Sequence, residues 1–136
     1  MDTVDDLRDG LVQASFAVIA VLSRVAAEQD LSLTQLRVLG ILRDREPAMA
    51  ELASYLGLER STVSGLIDRA VQRGLIRKTT DSADGRSVRV SLTAEARRLA
   101  TKVIAEIGEL MAPMTDRLTP GEQKRLSALL GKVVDG

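Results

Sequence analysis

The chain contains no cysteine and no histidine. These absences exclude disulfides, thiol redox chemistry, thiolate nucleophiles and histidine general bases, and leave almost no route to a structural or catalytic zinc site. No catalytic residue, metal ligand or cofactor is therefore expected. Tryptophan is also missing, and Phe16 and Tyr55 are the only aromatics. The core must be built from Leu, Val, Ile, Ala and Met. No uninterrupted apolar run approaches the roughly 18 residues that a membrane span needs, and the acidic start does not fit a signal peptide. The expectation is a cytoplasmic protein with no membrane partner.

At 136 residues the length suits one domain, or one domain with an oligomerisation appendage. Nineteen basic and nineteen acidic residues give a net charge of zero, but they are unevenly placed. Met1 to Glu59 holds five Lys/Arg against ten Asp/Glu, Arg60 to Arg98 nine against four, and Leu99 to Gly136 five of each. A surplus of five positive charges thus gathers in one central stretch, where a phosphate-facing surface would be. A merely solvated charged face is the plainer reading.

That stretch has its own architecture. Leu52, Ala53 and Leu56 fall on one face of a short helix, and Gly57 supplies a residue that ends a helix without strain. A second helix places Val63, Leu66, Ile67, Ala70 and Val71 on one stripe, with Gly74 as its cap. Its other face carries Arg60, Ser61, Thr62, Ser64, Asp68, Arg69, Gln72 and Arg73. These are the parts of a helix-turn-helix with a basic, hydroxyl-rich recognition helix. Leu75–Thr80 and Ser87–Leu92 suit two strands, the second alternating strictly. Between them Asp81-Ser82-Ala83-Asp84-Gly85-Arg86 is turn chemistry. A hairpin directly after a recognition helix is a wing.

The flanks read as helices. From Thr3 to about Glu28, Val4, Leu7, Leu11, Ala14, Val18, Leu22 and Val25 recur at spacings of three and four, and Ile19 and Val21 widen the stripe. Ser32 and Gln35 form a capping box before a helix burying Leu36, Leu39, Ile41 and Leu42, which Pro47 stops. Thr93 caps a helix with Leu99, Val103, Ile107, Leu110 and Met114 in one stripe, kinked or ended by Pro113. Thr119-Pro120-Gly121-Glu122 starts a last helix carrying Leu126, Leu129, Leu130, Val133 and Val134. The first helix packs on its own domain, on a second subunit, or on both. Together, the three outer helices have more apolar surface than one chain can cover.

The chain resembles the MarR (multiple antibiotic resistance regulator) family of winged-helix repressors. The residues that carry the resemblance are Leu33-Thr34-Gln35-Leu36-Arg37-Val38-Leu39, the run ELASYLGLERSTVSGLIDRAVQRGLI, and Asp84-x-Arg86 followed by Leu92-Thr93. The implied fold is mainly α (α+β): a winged helix-turn-helix with a two-stranded wing and terminal dimerisation helices. Residues 31–98 would form the DNA-binding lobe, and 1–30 with 99–136 the dimerisation region, through Val4, Leu7, Leu11, Leu110, Met114, Leu126, Leu129, Leu130 and Val133.

The implied function is a homodimeric transcriptional regulator, not an enzyme, that binds a pseudo-palindromic operator in double-stranded DNA and acts as a repressor released by a small-molecule effector. DNA-facing candidates are Arg37, Arg60, Ser61, Thr62, Ser64, Asp68, Arg69, Arg73, Arg77, Asp84, Arg86 and Arg89. In this resemblance Arg86 matches an arginine entering the minor groove, and Asp84 a carboxylate orienting the wing tip. Family effectors, often aromatic acids or phenols, bind between the dimerisation helices and the lobe, where Phe16, Ala20, Leu36 and Leu39 would form the wall. The missing cysteine excludes the peroxide-sensing branch of the family, and the missing histidine argues against the zinc-sensing one. Three positions depart from the pattern: Glu59 where a Ser or Thr cap is common, Gly65 where many members carry Arg, and Gly85 where the first wing arginine would stand. They motivate an alternative, a winged-helix protein-interaction module that has lost specific DNA binding.

Overall fold

The computed structural model describes residues 2–80 and 87–135. Its elements run α1 (Thr3–Glu28), α2 (Leu33–Leu42), α3 (Met49–Leu56), α4 (Arg60–Gln72), β1 (Ile76–Thr80), β2 (Val88–Leu92), α5 (Ala94–Thr115) and α6 (Pro120–Asp135). Among the described residues, six helices and one antiparallel hairpin make the winged helix-turn-helix architecture expected. The chain divides into two compact units, Leu22–Ile104 and the paired termini Met1–Val21 with Ala105–Gly136.

In the Leu22–Ile104 unit, local chemistry sets the helix ends. Ser32 Oγ accepts from the Gln35 N–H at 3.1 Å while Gln35 Oε1 accepts from the Ser32 N–H at 2.8 Å, so the capping box opens α2. This helix stops at Leu42, five residues before Pro47. Proline is thus not its terminator; Pro47 sits instead beside β2, where its carbonyl accepts from the Val90 N–H at 3.0 Å. Gly57 ends α3 with φ +66° and Gly74 follows α4 with φ +82°, the left-handed conformation that only glycine adopts without cost. The two strands pair from Ile76 opposite Leu92 to Thr80 opposite Val88. An isolated bridge between Ala48 and Arg89 adds a short third edge.

Among the described residues the core of this unit is apolar throughout, with Val25, Leu42, Leu52, Val63, Ile67 and Val90 sealed from solvent. Three expectations need correction. Val71 is exposed, because the α4 stripe closes at Ala70. On α2, Val38 is buried and Ile41 only half-buried. On α5 the buried line is Ala96, Ala100 and Val103, with Leu99 half-buried; small side chains bring the helix start close to the lobe.

In the terminal unit, Pro113 lies inside α5, which continues to Thr115. Thr119 Oγ1 accepts from the Glu122 N–H at 3.2 Å, and Glu122 Oε1 accepts from the Thr119 N–H at 2.9 Å, so a second capping box starts α6. These bonds hold the Glu122 carboxyl below its usual range. Among the described residues of this unit, none is buried. The expected dimerisation residues Val4, Leu7, Leu126, Leu129, Leu130 and Val133 are exposed, and Leu11, Leu110 and Met114 half-buried.

The apolar content of α1 is high for its length. By length and composition alone this helix is apolar enough to cross a membrane, with a window of mean hydropathy 1.7, and it is the one such helix among the described residues. Gln13, Ser15 and Arg24 interrupt its apolar runs, so the longest uninterrupted run stays short, and the same composition also suits the core helix of a soluble protein.

Candidate nucleic-acid interface

The polar face of α4 begins at an open helix end. Glu59 occupies the cap position with extended backbone (φ −71°, ψ 151°) and makes no side-chain cap bond. The first amides of α4 therefore receive no acceptor from the cap side chain, and with the helix dipole they favour an anion. Next to them lies an open concavity of about 380 Å³ lined by Met49, Arg60, Ser61, Ser64, Lys78 and Val88. Helix start and wing strand thus converge on one cationic, hydroxyl-lined hollow. Lys78, absent from the sequence candidates, is placed there by β1, the strand directly after the α4–Gly74 turn. Its Nζ pairs with Asp68 Oδ1, so Asp68 braces the recognition helix against the wing instead of projecting alone.

The structure sorts the candidate arginines into two groups. Arg73 Nη1 donates to the Asp30 carbonyl at 2.6 Å and Nη2 to that of Gln29. Its guanidinium caps the C-terminal end of α1, where Asp30 takes a left-handed φ of 54°. Arg37 Nη2 donates to the Tyr55 carbonyl at 2.9 Å, while Arg45 lies 5.0 Å from the centre of the Tyr55 ring. Arg89 Nη1 donates to the Glu46 carbonyl at 3.0 Å and approaches Glu51 at 3.9 Å. Arg73, Arg37 and Arg89 thus each link one element to another. Arg60, Arg69 and Arg77 are exposed, and no hydrogen bond or ion pair engages them among the described residues. Asp84, Arg86 and Gly85 lie outside the described residues.

Thr93 ties the exit of the recognition helix to the start of α5. Its Oγ1 donates to the Gly74 carbonyl at 2.7 Å and accepts from the Ala96 N–H at 3.1 Å, and its N–H donates to the Leu75 carbonyl at 3.1 Å. One residue thus caps α5 and ties the α4 exit to the base of the hairpin. Only the cap was readable from the sequence.

The effector-wall candidates divide between the units. Phe16 (69 % exposed) and Ala20 belong to the terminal unit, Leu36 and Leu39 to the other, where both are buried. Leu39 does border an apolar crevice with Leu31, Val38, Leu66 and Ala70, but its volume is about 10 Å³, room for about one water. Among the described residues no cluster of metal-ligating side chains occurs.

Comparison with known proteins agrees with this architecture. A family model described as MarR family matches residues 29–87. The transcriptional regulator MgrA of Staphylococcus aureus is 30 % identical over 113 residues, 82 % of this chain and 76 % of MgrA. Among solved structures, a mutant of E. coli MarR complexed with operator DNA superposes with TM-score 0.75 at 22 % identity, covering 98 % of this chain and 99 % of that one. NadR in complex with 4-hydroxyphenylacetate gives TM-score 0.81 at 23 % identity, covering 93 % of this chain and 91 % of NadR. The chain belongs to the MarR family of winged helix-turn-helix, DNA-binding transcriptional regulators, which are not enzymes.

Proposed function

We propose that two copies of this chain form a cytoplasmic homodimer that binds a pseudo-palindromic operator and represses transcription until a small molecule releases it. The observation that carries the DNA reading is the convergence of Arg60, Ser61, Ser64 and Lys78 on the hollow beside the uncapped start of α4. Short hydroxyl side chains let the helix approach a groove closely, and the cations at its edge suit phosphates. Asp84 and Arg86 carry the wing-tip contacts implied by the resemblance. Residues 31–98 serve as the DNA-binding lobe, and 1–30 with 99–136 as the dimerisation region, whose exposed apolar residues on α1 and α6 become the subunit contact. In a dimer the two recognition helices meet half-sites about one helical turn apart.

Effector control draws its support from NadR, a structural neighbour solved with 4-hydroxyphenylacetate. A ligand favouring the spread dimer by about 1–3 kcal/mol weakens DNA binding about 5- to 150-fold.

Fluorescence anisotropy with fragments of the source genome, titrated over a range of salt, tests the reading. Specific fragments should bind far more tightly than random duplex, and Arg60→Ala should lower the slope of log K against log salt by about one. Weak, sequence-indifferent retention by the parent at every salt concentration would reject DNA-directed regulation in favour of a protein-interaction module.

A further inference from the structure

The middle of the recognition helix carries an arrangement that edge contacts do not explain. Ser61, Gly65 and Arg69 follow one another at four-residue spacing and lie on one line of α4. Gly65 is a glycine inside a helix, yet its backbone needs no positive φ, so conformation does not account for it. A Cβ placed on Gly65 would meet one atom within 4 Å outside its own neighbourhood: Arg69 Nη1, at 3.5 Å. The Arg69 side chain therefore folds back along the helix axis, as helical side chains lean, and lies over the space that Gly65 leaves empty. Among the described residues its guanidinium has no hydrogen-bond or ion-pair partner.

This placement differs from that of Arg60 and Arg77, the other two candidate arginines without a partner among the described residues. Arg60 stands at the first residue of α4 and Arg77 on β1, both at the margin of the face. A guanidinium laid along the axis of a groove-inserted helix lies above the base edges, and its reach is not spent sideways towards phosphates. Ser61, Ser64 and Gly65 are the small residues that let that part of the helix descend. Asp68, the nearest carboxylate on α4, is already paired with Lys78.

We infer that Arg69, seated over Gly65, is a specificity-determining residue that reads a guanine in each half-site through its O6 and N7 acceptors, the pairing that a planar guanidinium makes best. This inference rests on the DNA-binding reading above. Gly65 acts as a positioning residue: it keeps the seat empty. A methyl group there would stand in ordinary van der Waals contact with Arg69, whereas a longer side chain would occupy the seat and swing the guanidinium aside.

Selection from randomised duplex DNA with the parent, Arg69→Ala, Gly65→Ala and Gly65→Leu tests it. The parent should enrich a motif with one strong guanine column in each half. Arg69→Ala should flatten that column, keep the others, and lose about 5- to 150-fold in affinity for the parent's site. Its salt slope on random DNA should equal the parent's, because no phosphate contact is lost. Gly65→Leu should flatten the same column with Arg69 still present, and Gly65→Ala should retain it. Both glycine variants raise helix propensity and Arg69 is exposed, so loss of folding does not confuse the outcome. If Arg69→Ala keeps every column and its salt slope falls by about one, Arg69 is a backbone contact and the inference is overturned. Retention of the column by Gly65→Leu overturns the role of the seat. A parent that enriches no motif overturns the DNA reading itself, an outcome distinct from either.

Discussion

The Leu22–Ile104 unit and the paired termini are made from the same kind of amphipathic helix, yet their apolar side chains have opposite fates. Every buried apolar residue among those described, from Val25 to Val103, belongs to the first unit. In the second, Leu129 remains 48 % and Val134 79 % exposed. There, too, Glu106 Oε2 is shut off from solvent without a hydrogen-bond partner among the described residues. The contrast teaches that amphipathic periodicity specifies a helix but not what covers it. The first unit satisfies its stripes internally through α2, α3, α4 and the hairpin. The second leaves a surface whose burial is worth about 25 cal/mol per Å², which the proposed dimer would cover.

The largest expected effect tests the self-sufficiency of the lobe. Ile67→Ala removes a fully buried side chain at the back of the recognition helix and should cost about 2–5 kcal/mol of unfolding free energy, read by urea titration. A loss below about 1 kcal/mol would mean that the lobe core is not the folding core. The same titration on Leu129→Ala in dilute protein should show a smaller change, because that side chain stays about half exposed within one chain.

Association reverses this ranking. Leu129→Glu combined with Leu130→Glu places two charges in the proposed subunit contact, and uncompensated buried charge is expensive. The variant should sediment as single chains at micromolar concentration while its lobe keeps helical circular dichroism. Unchanged association would place the contact elsewhere, and partition of the parent into lipid vesicles would make the apolar surface of α1 a membrane-facing one.

Smaller effects sharpen the picture at the junctions. Thr93→Ala removes both the α5 cap and the bond to the Gly74 carbonyl. A cost of about 1 kcal/mol is expected, together with faster amide exchange at the hairpin base. The smallest effect lies at the start of α6. The Glu122 carboxyl has a lowered pKa, so its contribution to folding is present above the unfolded value near 4.5 and is lost as pH falls through the lowered folded value. Acid titration monitored by circular dichroism should show α6 loosening in that window in the parent. Glu122→Gln should lack this one component.

Much of this was legible in the sequence because its causes are local. Ser32 with Gln35 and Thr119 with Glu122 are capping boxes within four residues, and Gly57 and Gly74 mark left-handed turns by composition alone. The bounds of α1 follow from its stripe. What could not be read were partners without a sequence signature. Arg73 finds carbonyls 43 and 44 residues away, Arg37 one 18 residues away, and Arg89 one 43 residues away. Any residue offers a carbonyl, so nothing in the order of side chains marks which arginine is held and which is unengaged. The seat of Arg69 was hidden for the related reason that Gly65 reads as a missing side chain, at a cost of about 1 kcal/mol to the helix, and not as room for another.

Sedimentation equilibrium of the full chain, alone and with a selected duplex, tests the central claim most directly. Two chains of 14.7 kDa associated at micromolar concentration, and two chains on each duplex, are predicted. A single 14.7 kDa chain both free and on DNA would contradict the account.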